Sequence, residues 1–149
     1  MPDTPEARPP ETIIAFDFGL RRIGVAVGQT VTASASPLGV VQNGENGPDH
    51  ARIAALIKEW RPGRLIVGMP AHADGSPSEM AEHVREFVAS LATYELPTDT
   101  IDERYTSIEA EATLKQARAA GTSGRISKEM IDSAAAVVIA ERYLAARSF

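Results

Sequence analysis

The run LIVGM, residues 65–69, limits the fold more than any other stretch. Apolar residues in succession, with no polar alternation, suit a strand buried on both faces, and that requires a sheet covered on both sides. The flanking patterns supply the cover. Upstream, Ile53, Leu56, Ile57 and Trp60 form a helical stripe after Asp49 as N-cap, and Arg61-Pro62-Gly63 stops it. Downstream, after PAHADGSP, a second helix over 78–92 turns Met80, Val84, Phe87, Val88 and Leu91 inward.

The stretches 12–18 and 23–29 read as strands joined by a tight turn around 19–22. A third strand over 36–42 carries Pro37, which argues for an edge or early position. NGENGP, 43–48, reads as a loop, and 97–102 as a short, weak strand. Thr106 opens a capping box with Glu109 on a helix reaching about residue 120, and Ser127 caps a last helix to about 146. Three early strands, then alternating helix and strand, then two helices predict an α/β protein: a mixed sheet with helices on its faces.

A chain of 149 residues supports one domain, read here as 12–149. Residues 1–11, rich in proline and acid, read as a disordered lead-in. The absence of cysteine excludes a disulfide scaffold and thiolate metal sites. No apolar run approaches a membrane span and the N-terminus lacks the order of a secretory signal, so a cytoplasmic protein is expected. The net charge of −5 is the wrong sign for holding nucleic acid by bulk phosphate neutralisation. Such contact would need a local basic surface, a metal centre or a partner. The stretch 112–128 holds no acid while Lys115, Arg118, Arg125 and Lys128 fall inside it, a pattern that a solvated helix face also explains.

Against this background an aspartate stands out in FDFGLRRIGVAVG, residues 16–28. Asp17 ends the apolar run TIIAF, where a carboxylate is costly unless it is paired, hydrogen-bonded or bound to a cation. By strand alternation it shares a face with Ile13 and Ala15. It lies at a strand end, where ligands of open α/β sheets collect, although it could instead cap the amides of the Gly19 turn. Asp102 and Glu103 close the weak strand; alternation favours Glu103 as the inward member, and two solvated loop acids are the plainer alternative. Asp132 aligns with Ala135, Ala136 and Ile139 on an apolar helix stripe, where its alternative is an ion pair with an arginine such as Arg104. Three carboxylates from separate elements, each at the rim of an apolar surface, suit an oxygen-ligand cage for a hard divalent cation, Mg²⁺ or Mn²⁺. His50, His72 and His83 show no paired ligand spacing; only His72, in the loop after the buried strand, stands near the expected site.

From about residue 12 to 147 the chain resembles the YqgF family of RNase H-like proteins, described as pre-16S rRNA nucleases and Holliday-junction resolvase homologues. The resemblance rests on FDFGLRRIGVAVG, LIVGMPAHADGSPSEMA, DERYTSIEAE and RISKEMIDSAAAVVIAERYL, four blocks in the family's order. It implies an RNase H-like fold with a mixed five-stranded sheet and helices on both faces. The family's acidic triad falls on Asp17, Glu103 and Asp132, which implies metal-assisted phosphodiester hydrolysis with these three as catalytic metal ligands. Arg21, Arg22, Arg104, Arg125 and Lys128 are candidate phosphate contacts. The implied substrate is precursor 16S rRNA, matured at its 5′ end, with branched DNA or a non-catalytic role in ribosome assembly or transcription as alternatives. Leu20 departs from a position that is often small and polar in the family, PAHADGS departs from a common Leu-Asn-Met run, and the basic stretch at Arg125 and Lys128 is thin. The Asp-x-Gly hairpin also resembles that of actin-like ATPases, but those clasp a nucleotide between two such subdomains and this chain has room for one.

Overall fold

The computed structural model describes residues 10–70, 80–102 and 128–147, with 128–132 and 147 followed as helical backbone. Its elements are β1 (Thr12–Asp17), β2 (Arg22–Gln29), β3 (Ser34–Gly44), β4 (Gly47–Pro48), α1 (His50–Trp60), β5 (Arg64–Met69), α2 (Ala81–Ser90), a 3₁₀ turn (Leu91–Tyr94), β6 (Thr98–Asp102) and α3 (Lys128–Arg147). The helix expected over 106–120, together with Ser78 and Ser127, lies outside the described residues.

The strands form one mixed sheet in the order β4-β3-β2-β1-β5-β6. β1 pairs antiparallel with β2 and parallel with β5, and β5 pairs parallel with β6. The sheet therefore has six strands where five were expected. The extra one is the two-residue β4, whose Gly47 and Pro48 pair with Gly44 and Asn43, so that the loop-like stretch 43–48 is a hairpin tip. β3 is also longer than its pattern implied. It absorbs Pro37 by slipping register between Val25 and Ala26: Val25 faces Gly39, Ala26 faces Pro37, and Leu38 is left over as a bulge.

β1 and β5 are buried along their interior positions, as continuous apolar runs require. On one face Ile14, Phe16, Ile23, Val25, Leu65 and Val67 meet Ile53 and Leu56 of α1 and Val84 and Phe87 of α2. The rings of Phe16 and Phe87 pack edge to face with centroids 5.4 Å apart. On the other face Ile13, Ala15 and Ile66 meet Ile139, Ala140 and Leu144 of α3. Each such side chain, taken fully out of water, contributes roughly 1.5–3 kcal/mol, so the two layers carry most of the stability.

Local chemistry sets where the helices begin and end. The Asp49 carboxylate accepts the Arg52 N–H at 3.2 Å and starts α1. Arg61 ends it in the left-handed region at φ 46°, donating its N–H to the Ile57 carbonyl at 2.8 Å. At the start of α1, His50 Nδ1 lies 2.8 Å from the Tyr94 hydroxyl, which also donates to the His50 carbonyl. Burial raises the Tyr94 pKa above its ordinary value, because the phenolate is the poorly solvated form.

Candidate active site

Asp17 is the last residue of β1 and faces Gly24 of β2 in register. It is half-buried, and alternation sets it on the α3 side of the sheet with Ile13 and Ala15. The turn that follows is tightly fastened. A Cβ at Gly19 would stand 2.5 Å from the Arg22 carbonyl oxygen, so only glycine fits. Asn43 holds the same turn from the end of β3: its Nδ2 donates to the Gly19 carbonyl at 2.7 Å and its backbone N–H to the Arg21 carbonyl at 2.9 Å. Asp17 thus stands between a buried strand and a clamped turn, which fixes its backbone. The two arginines of the turn lie on the same edge, Arg21 exposed and Arg22 half-buried.

α3 reaches this edge through Ser133. Its buried hydroxyl donates to the Val25 carbonyl and accepts the Gly39 N–H, both at 3.3 Å, bridging the β2–β3 ladder at the bulge. Val25 pairs with Phe16, the residue before Asp17. Asp132, adjacent to Ser133 in the helix, is therefore carried on a turn of α3 that is tied to the sheet at the level of the end of β1. The small residues Ala135, Ala136 and Ala140 are buried and let the helix lie close. The other end of α3 reaches the opposite end of β1, where a Cβ at Gly28 would meet Leu144 and Ile13 at 3.2 Å.

β6 runs parallel to β5 and β1, so it ends on the same carboxyl edge, at Asp102. Asp102 is exposed, and its carbonyl accepts Arg142 Nη1 from α3 at 3.2 Å. Glu103, Arg104 and Arg125 lie outside the described residues, and Lys128 opens α3. Asp17 is the one member of the expected triad whose side chain is described; among the described residues no three of His, Asp and Glu converge. His72 also lies outside them, while His50 serves the Tyr94 contact and His83 stands exposed on α2 beside Glu86.

Two residues that hold the site were read from sequence only as loop or filler. Asn43 opens NGENGP, and its signal was an amide at the start of a glycine-rich turn, a residue type that bonds backbone readily. Ser133 was passed over beside Asp132 on its helix. A hydroxyl flanking an apolar helix stripe needs a partner, and that was its signal.

A mixed sheet of this order, layered by helices on both faces, is an RNase H-like α/β fold. Thermus thermophilus RuvC, solved with a Holliday junction substrate, superposes with a TM-score of 0.58 over 92% of this chain and 95% of that one, at 15% identity. The fowlpox virus resolvase, also solved with junction DNA, does so with a TM-score of 0.54 over 91% and 97%, at 11% identity. The chain belongs to the RuvX (YqgF) family, whose model, described as "Holliday junction resolvase", matches residues 11–146. Relatives named "Putative pre-16S rRNA nuclease" include one from Burkholderia lata, 43% identical over 134 residues (89% of this chain, 88% of the relative). Another, from Dechloromonas aromatica, is 41% identical over 133 residues, covering 89% of each chain.

Proposed function

We propose that this protein is a divalent-metal-dependent nuclease that hydrolyses phosphodiester bonds and matures the 5′ end of pre-16S rRNA in the cytoplasm. The observation that carries the reading is Asp17: a half-buried carboxylate at the carboxyl end of a strand buried on both faces, on the edge to which Ser133 ties the start of α3. The names of relatives at 41–43% identity support the substrate. Among the described residues no helix is long and apolar enough to cross a membrane.

In this reading Asp17, Glu103 and Asp132 hold Mg²⁺ or Mn²⁺, and hard carboxylate oxygens fit those ions. The bound ion would supply positive charge against the phosphate and lower the pKa of water. The chain itself does the positioning. The clamped Gly19 turn and the Ser133 tie keep Asp17 and the second turn of α3 from shifting, while Arg21, Arg22, Arg104, Arg125 and Lys128 contact phosphates on either side of the scissile bond. A local set of cations and a metal together reconcile a net charge of −5 with a polyanionic substrate.

Purified protein should cut a precursor 16S RNA fragment with Mg²⁺ or Mn²⁺ and not with EDTA. Asp17→Asn should lose roughly a hundredfold or more, because even residues that only orient metal ligands cost up to about that factor. Equal cleavage by Asp17→Asn would overturn the assignment. The description of the family model favours a second substrate, branched DNA. A four-way junction offered beside the RNA fragment separates the two. A non-catalytic assembly role would show as full rescue of rRNA maturation by the Asp17→Asn protein in cells lacking the wild type.

A further inference from the structure

Just beyond Asp17 the chain encloses a cleft of about 380 Å³, on the sheet face covered by α2. Its floor is the half-buried ring of Phe18, backed 5.3 Å away at 41° by the core ring of Phe87. Pro48 of β4 closes one end. Leu20, at the tip of the Gly19 turn, forms the lip and is 57% exposed. A solitary exposed leucine is ordinary. This one lines a cleft that also holds Phe18 and Phe87.

The rim has a definite chemistry. Glu45 comes from the turn between β3 and β4, and Glu86 and His83 come from α2. The described residues lining the cleft include no lysine or arginine, so it is poorly suited to phosphate. One aromatic face at Phe18 with carboxylate acceptors at the rim suits a planar ring that carries hydrogen-bond donors. The volume lies at the small end of the range for ligand sites, enough for a base with its sugar and too little for a helix.

We propose that this cleft binds an unpaired nucleobase, guanine in first preference, from the strand whose phosphodiester lies at Asp17. Phe18 packs on the α2 face while Asp17 lies on the α3 side of the same carboxyl edge, so the strand reaches the cleft across that edge. Delivery of that strand rests on the nuclease reading; the binding itself does not. Guanine presents two neighbouring donors, N1–H and the 2-amino group, which a carboxylate accepts together. Adenine and cytosine offer one amino group beside an acceptor. Uracil offers a single imide N–H between two carbonyls, which the carboxylates repel. The order of preference is therefore guanine, then adenine and cytosine, then uracil.

Fluorescence anisotropy on the full chain carrying Asp17→Asn, which keeps RNA intact, tests this. The probes are single-stranded oligouridylates of one length, with and without a single central guanosine, and an RNA duplex of the same length. One guanosine should tighten binding about tenfold. Leu20→Asp, and separately the isosteric pair Glu45→Gln with Glu86→Gln, should each erase that preference while leaving duplex binding and the melting temperature unchanged. Equal binding of the two oligouridylates, or a guanosine preference that survives both variants, would overturn the proposal. The latter result would leave the cleft to some other occupant, such as an apolar side chain of a protein partner. Cleavage by the wild type without base preference would also overturn the cleft's role while leaving the nuclease reading intact. Guanosine-selective binding without cleavage would do the reverse.

Discussion

Asn43 shows how much of the site depends on side chains that never meet substrate. Its amide and its backbone N–H hold two successive parts of the turn that follows Asp17. Asn43→Ala removes the amide bond to Gly19 and keeps the backbone bond to Arg21. The expected result is a loss of about 1 kcal/mol in urea denaturation, with cleavage severalfold slower rather than abolished. Tyr94 gives a second residue-scale test. Burial raises its folded pKa above the ordinary tyrosine value of 10.0, so folding favours the protonated phenol. That contribution is fully present below pH 10.0 and is lost as pH rises through the folded pKa. Urea midpoints measured at rising pH should therefore fall above pH 10.0, with a shallower fall in Tyr94→Phe.

Among the elements, β1, β5 and α1 were legible because their patterns have one physical reading each: continuous apolar runs bounded by turns, and a capped stripe at helical spacing. β4 was not legible, since two residues within NGENGP carry no period at all. The bulge in β3 was half legible. Pro37 signalled an edge or early position, but the register slip beside it depends on Leu38 and Gly39 and on the partner strand. Its consequence for α3 was not legible, because the hydroxyl that bridges the bulge comes from Ser133, 94 residues beyond Gly39. Sequence distance hides such contacts even when both residues are suspicious alone. Ser133→Ala removes both bonds of the bridge and should cost about 1–2 kcal/mol of stability, read from urea denaturation. An unchanged midpoint would mean that the bridge does not hold the helix.

Taken whole, the molecule places one carboxyl edge of a twice-covered sheet where three separate segments of the chain end or begin: β1 at Asp17, β6 at Asp102, and α3 with Asp132 in its opening turns. Asp17 stood out because it ends an apolar run, where a carboxylate is costly without compensation, whereas Glu103 and the side chain of Asp132 lie outside the described residues. Sequence patterning does not convey how closely their oxygens approach, because that depends on how α3 crosses the sheet and on the chain after Asp102. The proposed cage, in which Asp17, Glu103 and Asp132 together hold a divalent cation, can be seen or refuted in a crystal. Anomalous diffraction from crystals soaked in Mn²⁺ tests it most directly. One or two Mn²⁺ peaks ligated by oxygens of these three side chains are expected. A crystal with no peak at this edge, each carboxylate closed off by its own arginine, would rule the cage out.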